Sequence, residues 1–186
     1  LAGGVEAGVT VVAPNQRLAL TLRREFDDAR TAQGLTVWAS ADILPFTAFV
    51  ERAYEDALYS EHAAGLPLLL APAQEQALWE NIIRGSGAGA ALLAIPETAR
   101  LARDAWQLTH AWRLAPRLKH FPLNEDGKAF QEWSQRYERE TGRERLTDSA
   151  RLADRVTVSW GRAEIKKPKC LICYGFDIVT PQQTEL

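Results

Sequence analysis

Across 186 residues, 46% hydrophobic and 25% charged content is ordinary for a globular chain, with room for one domain or for a core domain and a smaller lobe. A formal net charge of -2 excludes a surface that clamps nucleic acid on every side, although a local basic face is still possible. No apolar run is long enough to span a bilayer, no signal-peptide pattern is present, and two Cys without a disulfide framework fit a reducing, cytoplasmic setting. The sequence contains no Met, so we read it as an excerpt of a longer chain.

The chain is organised around Val9 to Phe26. A short β-branched run ends at Pro14-Asn15, and the hydrophobic period then changes from strand-like to helical. In open α/β sheets such a junction is the default ligand site, because helix N-termini present free N–H groups there. A phosphate loop would need Gly-x-x-x-x-Gly-Lys-Ser/Thr after the strand. Instead the chain reads Ala13, Pro14, Asn15, Gln16, Arg17, and Gly3, Gly4 and Gly8 lie before the strand. Pro14 also removes one N–H that a phosphate would use. The junction is therefore P-loop-like in position and empty in chemistry, with Asn15 read as a helix N-cap.

The helix that follows, to about Gln33, turns Leu18, Leu22, Phe26 and Ala29 inward and is closed by Gly34. Arg17, Arg23 and Arg24 on its outer face could meet phosphates, but beside Glu25 and Asp28 they read as a solvated face. A second strand is expected over Leu35–Trp38 and a turn at Leu44-Pro45. A second helix then carries Phe46, Phe49, Val50, Ala53, Tyr54, Ala57 and Leu58 to about His62. Strand, helix, strand, helix is the opening of a parallel α/β sheet.

From Gly65 to about Gly161 only helical periods are expected. Pro72 opens one helix with Leu78, Trp79, Ile82 and Ile83 as its stripe, and Gly85 to Gly89 reads as a flexible connector. Pro96 opens the next, with Leu101, Ala105, Leu108 and Trp112 as the expected buried stripe. Trp106 and His110, one turn apart, could stack a nucleobase or pack between helices, and packing is the commoner use. Arg113, Arg117, Lys119 and His120 form a local basic cluster around Pro116. Phe130, Trp133 and Tyr137 mark a further helix, and Thr147 or Asp148 caps another with Leu152 and Val156 inward. Trp79, Trp112 and Trp133 suggest wide contacts within a helical lobe.

Cys170 to Tyr174 reads as a buried central strand with both Cys as core thiols, since residues three apart in a strand face opposite ways and no second pair completes a zinc site. Asp177 just beyond it stands where a nucleotidase places a magnesium-binding carboxylate, but without a phosphate loop it is better read as a turn or cap residue. Thr180, Pro181 and Gln183 form a capping box.

Taken in order, TVVAPNQRLALTLRREFDDA, VWASADILPFTAFVERAYEDAL, PLLLAPAQEQALWENII, ARDAWQLTHAWRL and ICYGFDIVTPQQTEL resemble the N-terminal part of the bacterial "probable DNA repair protein" family. That family is similar to the AddB/RexB subunit of recombination helicase-nucleases, with a PD-(D/E)xK nuclease domain far downstream. The resemblance implies an α/β, RecA-like (P-loop-NTPase-like) parallel core interrupted by an all-α insertion, with 1–64 and 162–186 as core and 65–161 as insertion. It also implies a degenerate helicase domain in which Pro14, Asn15, Gln16, Arg17 and Asp177 stand at the nucleotide-site positions. Arg17, Arg113, Arg117, Lys119, Trp106 and His110 are the DNA-binding candidates. No catalytic residue, metal or cofactor is expected in this fragment. Single-stranded DNA and a helicase-nuclease partner subunit are the expected partners, with no membrane.

Overall fold

A computed structural model describes residues 7–61, 63–118, 120, 122–162 and 167–186. The chain is α/β and divides into two compact units, one comprising Leu1–Ala63 and Val158–Val179, the other Ala64–Thr157 and Thr180–Leu186. The C-terminal residues from Thr180, expected with the sheet, therefore belong to the second unit.

The first unit is a three-stranded parallel sheet in the order β2-β1-β5, with β1 at Val9–Ala13, β2 at Ile43–Pro45 and β5 at Cys170–Cys173. Helix α1 (Gln16–Ala32) leaves β1 through Asn15, whose side chain accepts the Leu18 N–H at 2.9 Å, the N-cap bond expected of it. Gly34, at φ +77°, ends the helix: its N–H meets Thr31 O and the Leu35 N–H meets Arg30 O, which is a Schellman closure. Val11 and Ala13 pack with Ala19, Ala41 and Ile43, and Leu18, Leu22 and Phe26 lean on that cluster. Ala29, expected inward, is exposed.

The second strand is not at Leu35–Trp38. Val37 is solvent-exposed and the Trp38 indole donates to Asp27 Oδ1, and that stretch has no strand partner among the described residues. The strand that pairs with β1 is Ile43–Pro45, where Ala41, Asp42 and Ile43 are buried, and the proline expected to make a turn instead ends an edge strand. Helix α2 (Phe46–Leu58) follows at once and buries Phe49, Val50, Ala53, Tyr54 and Ala57. Strand β5 is also an edge strand, not a central one, and Cys170 and Cys173 are exposed free thiols rather than core residues.

The second unit is helical: α3 (Pro72–Arg84), α4 (Ile95–Ala111), α5 (Ala115–Leu118), α6 (Glu125–Arg143), the first turns of α7 (Ser149–Gly161) and α8 (Pro181–Glu185). It is not strand-free, because β3 (Leu68–Leu69) and β4 (Leu146–Thr147) pair in parallel. Pro72 takes the first turn of α3 as expected, and Gln74 accepts the Ala71 N–H. The core gathers Trp79, Ile82, Ile83, Ala99, Ala102, Trp106, Trp133, Tyr137 and Ala150. Trp79 stacks on Tyr137 at 4.3 Å between ring centroids, and Trp106 meets both rings edge-on.

Two expectations for this unit are overturned. The glycine-rich Gly85–Gly89 link is a packed turn rather than a flexible connector: a Cβ on Gly89 would fall 1.9 Å from Ile83 O, and Ser86 Oγ is held by Ile83 O, the Gly89 N–H and the Trp133 indole. Helix α4 has the expected period but presents the other face. Ala99, Ala102, Trp106 and Thr109 are buried, whereas Leu101, Leu108 and Trp112 are 58%, 57% and 42% exposed. The small Ala99 and Ala102 side chains let α3 and α4 approach closely, and the Trp106 N–H has an interior acceptor that Leu101 and Leu108 would leave unused.

Candidate functional site

The carboxyl ends of β1 and β5 lie side by side, joined by the Tyr174 N–H on Val12 O at 2.9 Å. Gly175, at φ +75°, crosses the first turn of α1 so closely that a Cβ would stand 2.4 Å from Leu18 Cδ2. Pro14, Asn15, Gln16 and Arg17 are all exposed on this crest, as is Asp177 after Gly175. The parallel pairing thus gathers every sequence-derived nucleotide-site position at one edge of one sheet. Its chemistry is thin. Asn15 Oδ1 occupies a first-turn N–H, Pro14 offers none, and Arg23 is committed to Ile43 O at 2.7 Å.

The DNA-binding candidates have different fates. Arg17 and Arg117 are exposed, and Lys119 lies outside the described residues. Arg113, at φ +55°, is engaged by Asp154 through two bonds of 3.0 and 2.7 Å and by Glu185, so its charge is neutralised inside the second unit. The hydrogen bonds it donates to these carboxylates hold its guanidinium more firmly protonated than usual. Trp106 is only 4% exposed and is enclosed by Trp79, Tyr137 and His110, which removes it as a platform for a nucleobase. His110 packs edge-on against it at 4.2 Å, and burial holds the imidazole below its ordinary pKa. The helix-packing reading of this pair is the one the structure shows.

Two buried polar groups escaped the sequence. In the first unit Thr10 donates to Asp42 Oδ2 at 2.5 Å, and Arg52 grips both Asp42 oxygens at 2.6 and 2.9 Å. Burial pushes the Asp42 carboxyl up, but these bonds and the Arg52 charge outweigh it and hold the group below the usual carboxylate range. In the second unit Asp148 is fully buried and accepts from Trp106 Nε1 and from the backbone and side chain of Arg151, which also reaches Thr141 Oγ1. Glu75 lies in the same interior, with Oε1 unpaired among the described residues. Burial first, and then the Asp148 charge, push its carboxyl up to about 7 against the pull of Arg103 and Arg151. The signal available for Asp148 was its capping position before α7. For Glu75 there was none beyond its place one turn before Trp79.

Among the described residues no group of three or more His, Cys, Asp or Glu is placed to hold a metal ion, and no helix is long and apolar enough to cross a membrane. No protein-family model matches the chain, and neither the curated proteins nor the solved structures contain a match.

Proposed function

We propose that this chain is a non-catalytic, helicase-like DNA-binding and scaffolding domain of a cytoplasmic DNA repair and recombination nuclease, its parallel sheet being a RecA-like core and single-stranded DNA its partner. The reading rests on the ordered resemblance given above. The observation that carries it is the crest at Pro14–Arg17 and Asp177, which has the position of a nucleotide site in a parallel α/β sheet while Asn15 takes up one of its first-turn donors and its phosphate loop is missing. Such a crest can keep a surface for nucleic acid after losing hydrolysis. Of the candidate cations, Arg17 on the first unit and Arg117 on the second are exposed, each able to touch phosphates on its own unit. A helicase-nuclease partner subunit would supply translocation.

Fluorescence-anisotropy titration of labelled single-stranded DNA with the chain and with Arg17→Glu and Arg117→Glu tests each of these cations. Each reversal is expected to weaken binding by about tenfold or more. Unchanged affinity in both variants contradicts the assignment.

One observation favours a second reading, a protein-interaction domain that docks a motor partner or a downstream nuclease domain without touching DNA. Leu101, Leu108 and Trp112 form an exposed apolar face on α4. Under that reading, substituting them abolishes partner capture and DNA binding is absent throughout.

A further inference from the structure

A cleft in the first unit lies at the opposite edge of the sheet from Asn15 and Asp177. Gly8 precedes β1, Asp42 precedes β2 and Lys169 precedes β5, so the amino ends of three parallel strands open onto it. It encloses about 400 Å³, and α2 contributes Arg52 and Asp56 to its wall.

The charges there are unevenly matched. Asp42 is already satisfied by Arg52 and Thr10. Among the described residues Lys167 and Lys169 have no hydrogen bond or ion pair, and Asp56 is the one further carboxylate that lines the cleft. Both lysine stems are laid against the cleft. Lys167 Nζ rests 5.8 Å from the centre of the Trp160 ring, and the Lys169 stem lies over Gly8, where a Cβ would come within 2.9 Å of Cγ. Gly8, at φ +69°, is thus required both by the backbone and by the passage of this side chain. Trp160 also lines the cleft, is buried, and has an indole N–H with no acceptor among the described residues. Arg52 spends two N–H groups on Asp42, and its others have no acceptor among the described residues.

We propose that this cleft binds a small phosphate-bearing anion, held by the Lys167 and Lys169 ammonium groups and the remaining Arg52 N–H groups, with Trp160 as the apolar wall. Two mobile point charges beside a planar donor fork suit a tetrahedral oxyanion carrying about two negative charges. The cleft has room for more than the phosphate itself. The Thr10–Asp42–Arg52 bonds fix the fork in place before the ligand arrives, and Asp56 sets a limit on affinity. The site stands on its own geometry and is independent of the DNA surface at Arg17.

Calorimetric titration of the chain with inorganic pyrophosphate at constant ionic strength tests it. One saturable site is expected. Lys167→Gln with Lys169→Gln should weaken it by about tenfold or more, with an unchanged circular-dichroism spectrum. Asp56→Asn should tighten it roughly threefold by removing a repelling charge, a gain that partial unfolding could not give. A 5′-phosphorylated dinucleotide that competes with pyrophosphate, where its unphosphorylated counterpart does not, would make a nucleotide the source of the anion. Pyrophosphate binding without such competition would make it a free oxyanion. No saturable binding by the unaltered chain, or equal affinity in the folded double lysine variant, overturns the proposal.

Discussion

The two units hold themselves together in different ways. In the helical unit large aromatic side chains are fully enclosed: Trp79 and Tyr137 stack, Trp106 closes on both, and a buried Asp148–Arg151 pair sits against them. The sheet unit also buries large rings, Phe49, Tyr54 and Trp160, but its helix α1 and strand β5 are thinly covered. Helix α1 buries only Ala19 completely, and β5 leaves Cys170, Ile172 and Cys173 exposed. Burial of apolar area is the main favourable term in folding, so stability should be concentrated in the helical unit while the sheet unit leaves its crest and cleft open to solvent.

Substitutions at matched positions can break that contrast. The largest effect is expected from Trp79→Ala, which removes a fully buried ring from the stack and should lower unfolding free energy by about 3–5 kcal/mol in urea titration. Asp148→Asn should cost on the order of 3 kcal/mol by leaving Arg151 charged and poorly paired in the interior. Replacing both residues, Asp148→Asn with Arg151→Met, should recover part of that loss. If the double variant is no better than the single one, the cost lies in the lost Trp106 and backbone bonds instead.

Glu75 gives the same unit a pH dependence of known sign. Its carboxyl stands at about 7 in the fold against an ordinary 4.5, so the folded state holds the proton more tightly. Stability from this group is fully present below about pH 4.5 and is lost as pH rises through about 7, a change of roughly 3 kcal/mol at most. Glu75→Gln should flatten that slope and raise the melting temperature at about pH 8. An unchanged slope would mean that the carboxylate is solvated when it ionises. The smallest of these effects belongs to the sheet unit, where Asn15→Ala removes the α1 cap bond and should cost about 1 kcal/mol.

Features set by local chemistry could be read from the sequence. The β1-to-α1 junction, the Asn15 cap, the Gly34 stop, the Pro72 start and the Thr180–Gln183 capping box each depend on a few adjacent residues, and each is present. Features set by partners distant in sequence could not. Helix α4 carries two stripes of the same period, and only the approach of α3 and the Asp148 acceptor decides between Trp106 and Trp112 as the buried ring. Ile43–Pro45 is too short to display strand alternation, so its pairing with β1 is visible only in three dimensions. At the candidate site the crest positions were legible because they follow strand ends. The cleft was not, since Asp42, Arg52 and Lys169 come from three separate segments.

The most direct test of the central claim is anisotropy titration of labelled single-stranded DNA with the unaltered chain at low and moderate salt, with and without magnesium-ATP. We expect binding that weakens steeply with salt and is indifferent to ATP, as a DNA surface on a sheet without a working phosphate loop requires. Absence of binding, or affinity that shifts with ATP, would contradict it.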